Sequence, residues 1–224
     1  MNLFFDIETV PDGYKIGKKD VVVPGQYKKE ESKQQWLKDN AEEAIEKEYR
    51  SRSLDSLKGR VLCLGYALDY KKPKVLIGTE EEIIDRFEGV LNEVGSRELM
   101  SLTYIGFNIY EFDIPWLYQR AVKYNKKIIR DNIPLSKYEK RQVVAGVYEG
   151  RSIDLMLWFN ATRSPSKSYV SQRAVCEYLG IPTKENMDGS QVYDYMLQGK
   201  LDEIHEYCIE DVKTLQLLHK KMIG

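Results

Sequence analysis

Several features that mark particular classes of protein are missing from this sequence of 224 residues. Its three cysteines show no metal-type pairing, which argues for reduced thiols and an intracellular setting. No run of about 18 apolar residues is present, so we expect no membrane span and no membrane partner. The apolar segment that directly follows Met1 and Asn2 leaves no room for the basic and apolar regions of a signal peptide. These absences predict a cytoplasmic protein.

The residue sets of several enzyme classes are also missing. Histidine occurs only at positions 205 and 219, and no combination of nucleophile, base and orienting acid stands out. His205 precedes Asp211 by six residues, and a solvated helix residue is a better interpretation of it than a general base. No glycine-rich phosphate loop of the Walker or dinucleotide type is present.

The composition is that of an ordinary globular protein, with 42% hydrophobic residues and a net charge of −1. Residues 120–173 nevertheless contain twelve Lys or Arg against four acidic residues. A basic lobe beside an acidic site would suit a polyanionic substrate and a cation site. An ordinary solvated loop region is the alternative interpretation.

Hydrophobic periodicity predicts an α/β protein with a mixed five-stranded sheet flanked by helices, in a single domain over residues 1–224. Thr79, followed by three glutamates, is the predicted N-cap of one helix. The residues of that helix expected to face inward are Ile83, Ile84, Phe87 and Leu91. The segment 189–196 is undecided. Strands are predicted over residues 2–9, 60–68, 73–77, 102–107 and 151–154. The other helices are predicted over residues 36–52, 114–124, 171–179 and 201–222.

Residues 14–58 differ from the rest of the chain, with eleven basic and nine acidic residues and few large apolar ones. We predict that they form a helical insertion after the first strand. Its role is open, because it could clamp substrate, bind a partner or only extend the fold.

Four carboxylates lie in three segments that otherwise have the composition of a core: Asp6, Glu8, Asp113 and Asp211. Side chains alternate along a strand, so Asp6 and Glu8 share a face, with Cα atoms roughly 6.5–7 Å apart. Carboxylates at that distance repel each other unless a cation lies between them, and Mg²⁺ prefers oxygen ligands. A strand end whose acids reach water is the alternative.

Asp211 interrupts the apolar stripe of the last predicted helix, between Cys208 and Leu215. Tyr207 lies four residues before Asp211, so the two side chains share a helix face. A phenol there could orient an attacking water beside a metal held by Asp211. A Tyr–Asp hydrogen bond that closes a core is the alternative.

Asp113 precedes a predicted helix, where a simple N-cap is a strong alternative to a metal-site role. The aromatic residues around it, including Phe112, could stack unpaired bases or only fill the core. Asp154, on the fifth predicted strand, could be a further metal-site acid, although a buried hydrogen bond is the better interpretation.

Taken together, the three segments resemble the motifs of the DEDD 3′-5′ exonuclease superfamily, whose fold is ribonuclease-H-like. Asp6-Ile7-Glu8-Thr9 is similar to the first motif. Residues 108–120 are similar to the second motif, in the form used by proofreading domains of family B DNA polymerases. Tyr207-Cys208-Ile209-Glu210-Asp211 is similar to the third, and its Tyr-x-x-x-Asp spacing points to the tyrosine subclass. The histidine subclass has His where this chain has Glu206.

The resemblance implies a mechanism with two divalent cations, Mg²⁺ or Mn²⁺. Asp6, Glu8 and Asp211 would hold one cation, Asp6 would bridge to the second, and Asp113 would act through water. Tyr207 would position the attacking water. The implied contacts to the terminal nucleotide are Thr9, Asn108 and Phe112.

The implied activity is removal of nucleotides from the 3′ end of single-stranded DNA. RNA trimming at the same site is an alternative, because nothing in the sequence reads a 2′-OH. A catalytically silent nucleic-acid-binding or polymerase-associated module is a third possibility, against which the presence of all four carboxylates and Tyr207 argues. No polymerase palm follows the third motif, so a proofreading role would need a separate DNA polymerase or another replication or repair protein as partner. A free-standing repair, recombination or replication nuclease is equally open.

Overall fold

The computed structural model describes residues 1–135, 151–161, 169–183 and 187–224. Within these ranges the strands are β1 (Asn2–Pro11), β2 (Gly59–Leu68), β3 (Lys74–Ile77), β4 (Thr103–Gly106) and β5 (Ser152–Asp154). The α-helices are α1 (Glu30–Ser51), α2 (Glu80–Val94), α3 (Ser96–Leu99), α4 (Asp113–Lys123), α5 (Lys127–Asn132), α6 (Leu155–Asn160), α7 (Gln172–Leu179), α8 (Val192–Leu197) and α9 (Leu201–Met222). None of these helices combines the length and the apolar character that a membrane span needs.

The chain forms two compact units. The first contains residues 1–8 and 61–224, and the second contains residues 9–60. Most of the second unit is the predicted insertion of residues 14–58, and its main element is α1. The assignment of residues 1–224 to a single domain stays a prediction.

The strands form one sheet in the order β3-β2-β1-β4-β5. β1 pairs in parallel with β4, and β4 pairs in parallel with β5. β2 and β3 are antiparallel, as expected of strands joined by the short turn at residues 69–73. The predicted mixed five-stranded sheet with flanking helices is therefore confirmed.

Alternation along β1 builds a separate core on each face of the sheet. Leu3, Phe5 and Ile7 pack with the buried residues of α2 on one face. Phe4 packs on the other face with the buried stripe of α9, which includes Val212, Leu215 and Leu218. The α2 residues are Ile83, Ile84, Phe87 and Leu91, as predicted. Because Asp6 and Glu8 have the same parity as Phe4, they point toward the α9 side.

The ends of several helices follow local signals. Thr79 caps α2 as predicted, and Glu82 returns the bond, with its carboxylate accepting from the Thr79 N–H at 2.8 Å. α7 ends at Gly180, whose φ of +66° suits glycine. α1 begins at Glu30, six residues before the predicted start. The prediction began late because the first turns of the helix are polar and show no apolar periodicity. The undecided segment 189–196 contains a 3₁₀ turn followed by α8.

Candidate active site

The first two predicted site residues lie together on β1. One oxygen of Asp6, one oxygen of Glu8 and the Cys208 sulfur all lie within 4.8 Å of one another. Among the described residues, this is the one group of three or more potential metal ligands that meets this distance. Glu8 is only 6% exposed, so the alternative of a strand end whose acids reach water does not describe it.

Asp113 is attached to the same strand. Its Oδ1 accepts a hydrogen bond from the backbone N–H of Ile7 at 3.1 Å, and only 2% of the residue is exposed. The N-cap interpretation is wrong, because α4 begins at Asp113 itself, after Phe112 at the N-cap, and has no side-chain cap. The Asp113 carboxylate, which could have capped the helix, turns instead toward β1. Its partner there is Ile7, the residue that follows Asp6.

The fourth carboxylate comes from α9, whose bounds are those predicted. Ile204, Cys208 and Leu215 of its apolar stripe are buried, and Asp211 lies among them. The Tyr207 hydroxyl donates a hydrogen bond to the Asp211 carboxylate, one helical turn away. This pair is the predicted one, and it points into the group of acids rather than closing an apolar core.

Gly65 on β2 allows α9 to come this close to the sheet. A Cβ at this position would lie 2.8 Å from Val212 Cγ2 and 2.9 Å from both the carbonyl oxygen and the sulfur of Cys208. Distances under about 3 Å are steric overlaps. The close packing of α9 on β2 beside the acids therefore requires a residue without a side chain at position 65.

The acids are held close together without compensating positive charge. Burial, followed by repulsion from Asp113 and Asp211, raises the pKa of Asp6 well above its ordinary value. Burial and repulsion from Asp6 do the same to the pKa of Glu8. In the part of the chain that the structure describes, no lysine or arginine forms an ion pair with any of the four.

The two acids outside β1 are affected less, because each has a hydrogen-bond donor. Burial raises the pKa of Asp113 to about 7, against the opposing effect of the Ile7 N–H. Burial likewise raises the pKa of Asp211 to about 7, against the opposing effect of the Tyr207 hydroxyl. A buried cluster of oxygen ligands that repel one another fits divalent cations, which would favour the ionised carboxylates.

The apolar stripe of α9 predicts a packing role for Cys208, and the structure also places its sulfur beside the acids. Its sulfur lies 3.9 Å from the Asp6 carbonyl oxygen, as a weak donor. A hydrogen bond with Cys63, together with burial, raises the pKa of Cys208, so the thiol stays protonated. A protonated thiol is a poor ligand for a hard cation, and we interpret Cys208 as packing. In the sequence, the signal that Cys208 lies near the site is its position directly after Tyr207.

Asp154 has a structural role, in agreement with the buried hydrogen bond preferred for it. Its carboxylate accepts from the backbone N–H groups of Asn108 at 3.0 Å and Tyr110 at 3.3 Å. It also caps α6 through the N–H groups of Met156 and Leu157. This pairing ties β5 to the loop that leads to Asp113, so Asp154 supports the site without being needed as a ligand.

The three residues predicted to contact the nucleotide lie in different settings. Asn108 has a φ of +63°, which this residue type tolerates, and its side chain is partly exposed. The Phe112 ring is also partly exposed and packs on Trp116, with centroids 5.7 Å apart. Thr9 belongs to the second unit, where its hydroxyl donates to the Ser53 carbonyl at 2.6 Å. Nucleotide contact by these three stays a prediction.

The basic segment 120–173 lies only partly within the described residues, since five of its twelve Lys or Arg fall in 136–150 and 162–168. Several of the other seven are paired. Arg120 and Lys123 bind the carboxylate of Glu80, and Arg120 is 5% exposed. Lys126 pairs with Asp85. Arg120, Lys123 and Lys126 are therefore engaged in ion pairs, and the basic lobe stays a prediction.

Comparison with known proteins decides the family. A family model described as a predicted 3′-5′ exonuclease related to the exonuclease domain of PolB matches residues 70–223. The chain belongs to this family. The PolB-related match contains the second and third motifs, with Asp113, Tyr207 and Asp211, whereas Asp6 and Glu8 precede it.

The fold of this PolB-related exonuclease family member agrees with a solved structure. The family B DNA polymerase from the hyperthermophilic archaeon Pyrobaculum calidifontis superposes with a TM-score of 0.59 and 19% sequence identity. The similarity covers 99% of this chain and 24% of the polymerase chain. It confirms the predicted ribonuclease-H-like fold. No curated protein matches the sequence.

Proposed function

We propose that this protein is a metal-dependent 3′-5′ exonuclease that removes nucleotides from the 3′ end of single-stranded DNA. The observation that supports this function most is the convergence of Asp6, Glu8, Asp113 and Asp211, with Tyr207 bonded to the last of them. Hydrolysis of a phosphodiester needs a site for cations and a group that orients water, and this cluster offers both.

Two divalent cations, Mg²⁺ or Mn²⁺, would be held by Asp6, Glu8 and Asp211, with Asp113 in support. When bound, such a pair stabilises the negative charge that develops on the phosphoryl group and on the leaving oxygen. The donor set consists of carboxylate oxygens, which these hard cations prefer. The buried and unpaired state of the acids gives the cations a strong electrostatic reason to bind.

Tyr207 acts as a positioning hydrogen-bond donor rather than as a base. Burial and the nearby Asp211 raise the pKa of its phenol far above the neutral range, so the proton stays on the oxygen. The phenol donates to Asp211 and can accept from the attacking water through its lone pair. In-line attack on phosphorus breaks the P–O3′ bond, and the departing 3′-oxygen takes up a proton.

Asn108 and Phe112 lie on the loop that ends at Asp113 and are proposed contacts to the terminal nucleotide, with Thr9 as a third. Phe112 is partly exposed and can stack on a base, which favours a single strand because its bases are unpaired. The relation of the family to the PolB exonuclease favours DNA as substrate. A DNA polymerase or another replication or repair protein is the proposed partner.

Digestion of 5′-labelled single-stranded DNA and RNA tests the proposal, with Mg²⁺, Mn²⁺ or chelator. We expect DNA to shorten progressively from the 3′ end in either metal. Asp6→Asn and Asp211→Asn should abolish this ladder, and Tyr207→Phe should lower kcat by about 100-fold with little change in KM. Tyr178→Phe, which removes the hydroxyl of an exposed tyrosine on α7, is the control.

Three results would contradict parts of the proposal. Equal activity in chelator would exclude the two-cation mechanism. Faster shortening of RNA than of DNA would identify an exoribonuclease. Binding of DNA without any turnover would identify a silent binding module.

A further inference from the structure

The second compact unit carries a basic hollow that the proposed chemistry does not use. The hollow has a volume of about 530 Å³. One wall is a single face of α1, formed by residues spaced three and four apart. The other wall is the 3₁₀ turn Lys18–Asp20. Its lining consists of Lys18, Lys19, Glu31, Gln34, Gln35, Leu37 and Lys38.

Charge within this unit is separated along the sequence. Residues 15–38 contain seven lysines and three acids, whereas residues 39–48 contain five acids and one lysine. Lys18, Lys19 and Lys38 are all exposed. None of these three lysines forms an ion pair with another described residue, whereas Lys33 pairs with Glu30 outside the hollow. Three lysines and one glutamate therefore line the hollow, which gives it a net positive charge.

Other residues of the second unit add polar and aromatic groups. The amide nitrogens of Gln34 and Gln35 already donate to Glu30 and Asp39, which leaves their carbonyl oxygens as acceptors for a base or a sugar. Tyr27 and Trp36 pack beside each other within the same unit, with centroids 6.2 Å apart, and both are partly exposed. Cations that contact phosphates, with amides and aromatic rings nearby, are the usual means of sequence-independent binding to a single strand.

We propose that this hollow binds the phosphate backbone of single-stranded DNA, with Lys18, Lys19 and Lys38 as the phosphate contacts. The inference builds on the proposed function only in its choice of strand, because the lining itself recognises phosphates. It assigns a substrate-holding role to the insertion of residues 14–58. Glu31 is the one acid in the lining, and it limits how closely a phosphate can approach that end of α1.

The test is the salt dependence of binding, measured on the full chain in chelator so that no digestion occurs. A fluorescently labelled single-stranded oligonucleotide is titrated at several salt concentrations. The triple variant K18Q/K19Q/K38Q should bind more weakly, and the slope of log Kd against log salt should shrink by about 2, since each lost phosphate contact removes about 0.7. The charge-preserving variant K18R/K19R/K38R should keep the wild-type slope.

The matched control is K33Q/K47Q/K58Q, which removes the same charge from residues of the same unit that lie outside the hollow. It should leave the slope near that of the wild type. An equal loss of slope in both triple variants would show a general charge effect and overturn the inference. An unchanged slope in K18Q/K19Q/K38Q would also overturn it.

Hydrolysis of a dinucleotide with Mg²⁺ separates this inference from the proposed function. Wild-type binding with the expected slope change but no hydrolysis would contradict the exonuclease and leave the hollow supported. Hydrolysis without the slope change would contradict the hollow and leave the exonuclease supported.

Discussion

The carboxylate of Asp113 accepts a hydrogen bond from the backbone N–H of Ile7 at 3.1 Å, across 106 residues of sequence. Ile7 stands between Asp6 and Glu8, so this bond joins the start of α4 to the strand that carries both acids. It orients one carboxylate and satisfies a buried N–H at the same time. The hydrogen-bonding role of Asp113 in the fold and its proposed role at the cation site can therefore be separated by mutation.

Asp113→Asn and Asp113→Ala should differ in stability and agree in activity. Asparagine keeps an oxygen acceptor for the Ile7 N–H, whereas alanine leaves that buried donor without a partner. We expect Asp113→Ala to lower the free energy of unfolding by about 1–3 kcal/mol relative to Asp113→Asn. Both should lose exonuclease activity. Urea unfolding and 3′ digestion measure the two effects, and equal stability of the two variants would contradict the role of the bond.

The stability of the metal-free protein should fall as pH rises from 6 to 8. The pKa values of Asp113 and Asp211 are raised to about 7 from 3.8, so the stability they contribute is present at low pH and lost as pH rises through about 7. We expect these two groups to account for a decrease of about 1–3 kcal/mol in chelator, in addition to the decrease from Asp6 and Glu8, whose pKa values are raised further. Added Mg²⁺ should reverse it at pH 8. Thermal unfolding at each pH is the measurement.

Variants provide the control for this pH dependence. The double variant D113N/D211N should show a flatter profile in chelator, because two of the four buried acids are gone and only Asp6 and Glu8 still contribute to the slope. Asp131→Asn removes an exposed carboxylate paired with Arg130 and should keep the wild-type profile. A wild-type profile in the double variant would show that other groups are responsible.

Gly65→Ala should damage the site through α9. The new methyl group would overlap Val212 and Cys208, so the helix that carries Tyr207 and Asp211 must move. We expect a stability loss of about 1–3 kcal/mol and an activity loss of about 10- to 100-fold. Gly89→Ala on α2 is the control, because nothing lies within 4 Å of its Cβ, and alanine favours a helix. Full activity of Gly65→Ala would show that this contact is not needed.

Glu80→Gln should strongly lower the free energy of unfolding, because Glu80 is buried. Burial alone would raise the pKa of Glu80, but hydrogen bonds from Arg120, Tyr124, the Val61 N–H and Lys123 hold it below its ordinary value. The substitution leaves the buried Arg120 without its anion, which costs about 3–5 kcal/mol. Glu82→Gln, which preserves the capping box, should be much less destabilising. Urea unfolding compares the two, and similar values would contradict the importance of the buried pair.

Local patterns were sufficient for much of the fold. The bounds of α9, the Thr79 cap and the inward residues of α2 were predicted because each depends on neighbours in the sequence. The start of α1 was predicted too late, since polar turns carry no periodic signal. The N-cap interpretation of Asp113 was wrong, because a distant N–H on β1 competes for the same carboxylate.

The sequence by itself determined which residues could form a site, through strand alternation at Asp6 and Glu8 and helix spacing at Tyr207 and Asp211. Only the tertiary structure decided that Asp113 joins them, that Cys208 lies beside them and that Asp154 serves the backbone instead. It also decided the charge state of the acids, because the pKa of a carboxyl group depends on burial and on charges brought near by folding. The spacing of residues along the chain carries no information about burial or about which charges folding brings together.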